Sequence, residues 1–190
     1  MKRDILTGER VRLRGFEASD VENKVRWVND PETRATLNYA YPLSRLGTLE
    51  WARKLVGRDD HIEMVIEDLS DGRAIGFAGL KDIDWRSRKA EMYMTIGEAD
   101  YRGKGYGTEV RRIHLRYAFE ELGLHRIYLY NWINNGAARR VNEKMGFKLE
   151  GILRADVFSH GEYRDRVVMG ILRDEYRCQR QGSGGSQRDG

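Results

Sequence analysis

The chain reads as a single α+β domain. Three observations predict it: short runs that alternate apolar and polar residues, longer runs with apolar residues at helical spacing, and no linker or internal repeat between them. Its 190 residues are one domain's worth, long enough to bury a full core, and 40% of them are apolar. No apolar run approaches the roughly 18 residues of a membrane helix. The basic start "MKRDILTGERVRLR" lacks the apolar centre of a signal peptide. A lone cysteine, Cys178, excludes an internal disulfide, so the expected setting is a reducing cytoplasm with no membrane partner.

Each element has a local reason. "VRLR" at 11–14 alternates as a strand does, and Ser19 or Asp20 is placed to cap a helix running through Trp27. "NDPET" at 29–33 opens another helix, with Asp30 as cap, Pro31 at the first helical position and Glu32 near the positive end. A third covers about 44–56, with Leu46, Leu49, Trp51 and Leu55 as its apolar stripe. "HIEMVIED" then reads as a strand, "SDG" at 70–72 as a hairpin turn, "RAIGFAGLKDI" as its partner and "KAEMYMTIG" as the next strand.

The second half alternates helix and strand. Val110, Ile113, Tyr117 and Ala118 form one stripe beside a second of Leu115, Phe119 and Leu122. So wide an apolar surface predicts a helix that lies on a sheet and touches further elements, with Gly123 as its stop. "HRIYLYNW" is a strand, and Asn134 or Asn135 opens a short helix carrying Ala137, Ala138, Val141 and Met145, ended by Gly146. "FKLEG" returns to the sheet, and "ILRADVFSHGEYRDRVVMGIL" closes as a hairpin turning at His160 and Gly161. The domain is expected to cover 1–176, with the Gly/Ser/Gln-rich 177–190 as a disordered tail.

Charge narrows the function. The net charge is +4, but Arg177, Arg180 and Arg188 against Asp189 place half of it in the tail. The body is dense in charge yet mixed in sign, which favours solubility over a phosphate-binding face and argues against nucleic acid as the partner. His61, His114, His125 and His160 lack the close spacing of a metal site, so no metal is expected.

The stretch 102–107 runs Arg-Gly-Lys-Gly-Tyr-Gly, with Thr108 expected to begin the helix. First-turn amides have no internal partner and the helix dipole adds positive potential there, while glycines let the backbone wrap closely round a ligand. That suits an anion, most obviously a diphosphate. A dinucleotide fingerprint starting at Gly103 fails at Thr108, and one starting at Gly105 fails at Val110; a Walker loop fails because Gly105 follows Lys104. The pattern R/Q-x-x-G-x-G/A is met by Arg102, Gly105 and Gly107. A plain glycine-rich turn is the structural alternative.

With "AEMYMTIG" before it and "HRIYLYNW", "NGAA" at 135–138 and "NEKMGF" at 142–147 after it, the segment resembles the acyl-coenzyme A motif of the GCN5-related N-acetyltransferases. The closing "EGILR…HGEYRDRVVMGIL" and the opening "RVRLRGFEASDVENKVRWVNDPE" resemble the branch of ribosomal-protein N-terminal and spermidine acetyltransferases. The likeness covers roughly 9–176. It implies a mixed, mostly antiparallel twisted sheet flanked by helices, with a splayed strand pair holding acyl-CoA. It also implies backbone groups of Met94, Thr95 and Ile96 on the pantetheine arm. Arg102, Gly103, Lys104, Gly105, Tyr106, Gly107 and Thr108 would hold the pyrophosphate, with Asn135 and Lys144 as further coenzyme contacts. The alternatives are a helix cap for Asn135 and a solvated charge for Lys144.

The implied reaction moves an acetyl group from acetyl-CoA to a primary amine on a protein N-terminus, polyamine, amino sugar or antibiotic. Where much of the family has a tyrosine before "E-K-x-G-F", this chain has Asn142. Asparagine can hydrogen-bond a sulfur but supplies no proton at useful pH. The expectation is therefore direct attack in a ternary complex, with the thiolate leaving unaided or through water. Glu91 is the first choice of base, with Tyr93 and Asp156 behind it. An acyl-CoA-binding regulatory domain is the alternative function, and a homodimer is the partner that the resemblance adds.

Overall fold

The computed structural model describes residues 4–39, 41–159 and 161–184. Its elements are β1 (Val11–Gly15), α1 (Val21–Asn29), α2 (Pro31–Thr36), α3 (Arg45–Leu55), β2 (His61–Asp68), β3 (Ala74–Asp84) and β4 (Lys89–Ile96). They continue with α4 (Tyr106–Arg116), β5 (Arg126–Trp132), α5 (Gly136–Lys144), β6 (Lys148–Ser159), β7 (Glu162–Leu172) and α6 (Arg173–Gly184). The strands form one seven-stranded sheet in the order β1-β2-β3-β4-β5-β7-β6. Every neighbouring pair is antiparallel except β4 and β5. This is the mixed, mostly antiparallel α+β architecture expected.

Consecutive strand residues face opposite sides, and β3 shows what each side meets. Phe77 packs on Trp27 and Val28 of α1, whereas Ala78 packs on Val110 and Ile113 of α4. α1 and α4 therefore cover opposite faces. The wide stripe of α4 is explained by its two jobs: Val110 and Ile113 close the core over β1–β3, and Leu115 joins the core that contains Leu129 of β5 and Met169 of β7. A π turn, Tyr117–Glu121, extends α4 with Ala118 and Phe119 buried, and Gly123 at φ 65° turns the chain away.

Capping signals fall where the helices start. The Asp30 carboxylate accepts from the Thr33 amide, Ser44 Oγ from the Gly47 amide, and Asn135 Oδ1 from the Ala138 amide. Four features differ from the sequence reading. α4 begins at Tyr106, not Thr108. Leu46 is 71% exposed and α3 buries only Thr48, because this helix packs at the periphery against α1. "FKLEG" and the first hairpin arm are one strand, β6, whose register slips at Leu149/Gly151 and Leu153/Val157. α6 carries the chain helically to Gly184, into the segment read as tail, anchored by the Tyr176 hydroxyl on Glu120 at 2.9 Å. His160 and 185–190 lie outside the described residues. Among the described residues no helix is long and apolar enough to cross a membrane.

Candidate active site

The parallel pair β4–β5 is held by only three residue pairs: Lys89 with Arg126, Ala90 with Ile127 and Glu91 with Tyr128. Beyond Glu91 the strands part. Between them opens a cleft of about 770 Å³, bounded by 92–96 of β4 and 129–132 of β5. Gly107 and Arg111 of α4 and Asn135, Ala138 and Asn142 of α5 line one side. Glu32, Thr33 and Thr36 of α2, Tyr39, Trp51, Lys24, His61 and Glu63 line the other.

The glycine loop sits at the start of α4. Gly103 and Gly105 hold φ 72° and 85°, in the left-handed region where a side chain is strained, and Gly105 caps the helix. The amides of Thr108 and Glu109 reach back to the Gly105 carbonyl at 3.1 and 3.2 Å. Those of Tyr106 and Gly107 precede these bonds, as first-turn amides do. A Cβ on Gly107 would meet Met94 Cε at 3.5 Å and Arg111 Nη1 at 3.6 Å, ordinary contact distances, so the turn lies beside β4 with room to spare.

Arg102 is placed differently from the sequence reading. Its guanidinium donates to Thr33 Oγ1 at 2.7 Å and to the Gly97 and Ile96 carbonyls at 2.8 and 3.2 Å, and it pairs with Glu32 at 3.1 Å. The side chain thus ties the loop to α2, and what Arg102 brings to the cradle is backbone. Lys104 keeps its ammonium free of acidic partners among the described residues, while its carbonyl accepts from Arg10 at 3.0 Å. Asn135 both caps α5 and lines the cleft. Lys144 lies apart, with Arg112, on a second hollow of about 960 Å³ over the outer side of α4.

Asn142 is 0% exposed, and neither its Oδ1 nor its Nδ2 has a partner among the described residues. Leaving such groups buried and unpaired costs about 1–3 kcal/mol each. A polar atom brought into the cleft by a ligand would satisfy them. The glycine cradle and the exposed edges of β4 and β5 fit the same ligand, an extended chain with a diphosphate at one end.

Glu91 turns into the cleft with Lys81 Nζ at 3.0 Å. Burial raises its pKa and Lys81 opposes the rise. Asp156 pairs with Arg166 across the β6–β7 hairpin and does not line the cleft, and Glu22 pairs with Arg45 on the surface. His61, His114 and His125 stand on separate elements, β2, α4 and the approach to β5.

One cluster has no precedent in the sequence reading. Lys24, almost fully buried, pairs with Glu63 and lies over Trp51 and Phe77 at 4.0 and 4.3 Å from their ring centres. Glu63 also accepts from the Tyr93 hydroxyl, and His61 Nε2 lies 3.0 Å from that oxygen. Burial drives the Lys24 pKa down against the pull of Glu63. Tyr93 is raised well above its ordinary value by burial and by Glu63. The signal was a charged pair, Lys24 and Glu63, inside otherwise apolar patterns; nothing local shows that they meet.

Comparison with known proteins agrees with this geometry. The Acetyltransferase (GNAT) domain model matches residues 10–148. The SPbeta prophage-derived uncharacterized N-acetyltransferase YokL of Bacillus subtilis is 29% identical over 170 residues, 90% of this chain and 94% of that protein. Spermidine N(1)-acetyltransferase of Escherichia coli is 33% identical over 106 residues, 56% of each. The spermidine N-acetyltransferase of Vibrio cholerae, solved with CoA and spermine, matches with a TM-score of 0.83 and 28% identity, covering 88% of this chain and 98% of that one. The cleft, the loop and these likenesses lead to one conclusion: the chain belongs to the GNAT acetyltransferase family and is an acetyl-CoA-dependent N-acetyltransferase.

Proposed function

We propose that the protein acetylates a primary amine of a small polycationic acceptor, a polyamine, by direct attack in a ternary complex. The parting of β4 and β5 carries this reading, because it leaves a cleft lined by Gly107 of the glycine cradle and by a wall of charged and aromatic side chains. Acetyl-CoA, when bound, supplies the acyl thioester. The backbone of Met94, Thr95 and Ile96 has no β5 partner and offers the edge that an extended pantetheine arm needs, the Ile96 carbonyl also accepting from Arg102. Residues 102–108 hold the diphosphate through backbone amides and Lys104, with Asn135 on the cleft and Lys144 at the outer end.

The amine arrives protonated. With a pKa near ~10.4, freeing it at pH 7 costs about 4.6 kcal/mol, whereas a thiolate of pKa ~8.5 lies only about 2 kcal/mol from its proton. A base is the greater need. Glu91, buried enough to be raised in pKa and facing the cleft, takes the amine proton through a water. Asn142 places an amide beside the reacting end instead of a proton donor.

The acceptor wall combines Glu32, Glu63 and Glu91 with the rings of Tyr39, Trp51, Phe77 and Tyr93. Its own cations already pair with these carboxylates, and Lys24 with two of the rings, so an alkylammonium group binds there by sharing or displacing those partners. The likeness to spermidine acetyltransferases supports the same class. The exposed β6–β7 face, with Phe158 at 62% and Tyr163 at 70%, supports a homodimer. The lone exposed Cys178 suits a reducing cytoplasm.

The test is thiol release from acetyl-CoA with four acceptor classes: spermidine and spermine, peptide N-termini, amino sugars and aminoglycosides. Saturable release that is fastest with the polyamines is expected. Release no faster than the acceptor-free rate with all four would overturn the reading, and a faster rate with another class would replace the polyamine.

A further inference from the structure

A guanidinium taken out of water is costly unless a counter-charge offsets it. Arg111 stands one turn beyond Gly107 on α4 and lines the cleft. Its Nη1 reaches only the Gly107 carbonyl, at 3.5 Å, and its Nε has no partner among the described residues. The carboxylates of the cleft are engaged elsewhere: Glu63 with Lys24, Glu91 with Lys81 and Glu32 with Arg102. Burial brings Arg111 down to about 10, which still leaves it charged at neutral pH. His114, on the next turn, is fully buried and pushed down to about 4 by that burial and by Arg111, so it is neutral.

Two elements therefore bring unsatisfied groups to one cavity, a cation from α4 and the Asn142 amide from α5. No side chain among the described residues answers them. In an acyl transfer negative charge develops at two atoms of the reacting end, the carbonyl oxygen as the amine attacks and the sulfur as it departs, and the sulfur is the one left without a proton donor by Asn142.

We propose that Arg111 is a catalytic residue which, beside Asn142, stabilises the sulfur of coenzyme A as it leaves with the electron pair of the broken C–S bond. This rests on the acetyltransferase reading. The amine loses one proton through a water to Glu91 and on to solvent, and its nitrogen forms the C–N bond to the acyl carbon while the C–S bond breaks. A second proton leaves the nitrogen, and the sulfur takes one up on release, so one proton in total passes to solution. Fixed charge at the sulfur replaces the proton that a tyrosine at position 142 would have offered, and it needs no reorganisation as the bond breaks.

The decisive measurement is the ultraviolet titration of the thiol in the protein–CoA complex, with calorimetry confirming that CoA is bound. In the wild type the bound thiol is expected to ionise about one pH unit or more below its ordinary ~8.5. Arg111→Met is expected to return it to that value or above, and Arg111→Lys to keep part of the shift. With Arg111→Met, kcat should fall by about 10²–10³, as when one donor to a developing anion is removed, with little change in KM for acetyl-CoA. A wild-type bound thiol at or above the free value, or an Arg111→Met value equal to the wild type's, overturns the proposal. Loss of CoA binding in Arg111→Met overturns it too, by making Arg111 a binding residue. Should that variant fail to fold, the wild-type titration and Arg111→Lys decide. A wild type that does not bind CoA at all sinks the acetyltransferase reading instead.

Discussion

Glu91 shows how one side chain is set by opposing forces. Burial raises its pKa, Lys81 at 3.0 Å pulls it back, and the net shift is upward. A base must be unprotonated, so kcat/KM should fall as pH drops through a value above the ordinary carboxylate's. Glu91→Gln should abolish that limb and lower the rate about 10²-fold at neutral pH. The raised pKa also means that the folded state holds the proton longer than the unfolded chain does. Ionising Glu91 therefore lowers stability as pH rises through that window, and the variant should keep its thermal midpoint at pH 7. A parallel loss of midpoint and activity would make Glu91 structural. That Glu91 and Asn142 line the cleft was legible, Glu91 from its place at the start of the strand leading to the coenzyme motif and Asn142 from the motif before "E-K-x-G-F". Arg111 was not: next to Arg112 on a charged helix, either could have faced solvent, and only the packing of α4 decides which one turns inward.

The glycine loop and α4 invite a paired test at the scale of one element. Gly107 is helical with ordinary space for an added methyl, so Gly107→Ala should raise stability by about 0.5–1 kcal/mol and leave CoA binding intact. Gly105 caps the same helix at φ 85°, so Gly105→Ala should cost about 1 kcal/mol and weaken CoA binding by turning the cradle. Thermal melts and calorimetry read both; equal effects would show that the loop's conformation is immaterial. Helix starts were legible where a side chain caps them, as with Asp30 and Asn135, and at Asp20 the position was legible although its carboxylate turns to Arg14 and the Glu17 amide instead of capping α1. The start of α4 was not, because a glycine cap has no side chain to announce it. The apolar stripe of α3 misled at Leu46, since periodicity shows which residues share a face but not whether anything covers it.

For the molecule as a whole, the outer strand β6 leaves Ile152 and Phe158 exposed, and Phe158 packs edge-on to Tyr163 of β7 with ring centres 5.2 Å apart. The homodimer proposed above should be broken by a charge there: wild type is expected to sediment as a dimer and Phe158→Asp as a monomer with its fold intact. A monomeric wild type would overturn the homodimer, and an unchanged dimer in the variant would show that another surface is used. The sheet's strands were legible one by one from their alternation. The break between β4 and β5 was not, because it arises from pairing between segments separated by a whole helix, and only the family resemblance supplied it. That break has a consequence for handling the protein. The inner borders of β4 and β5 past Glu91 are unfinished, and a long thin guest completes them much as an added strand would. Protein stripped of nucleotide should therefore scatter more light on warming than protein with acetyl-CoA added, and equal scattering would show that these rims attract nothing.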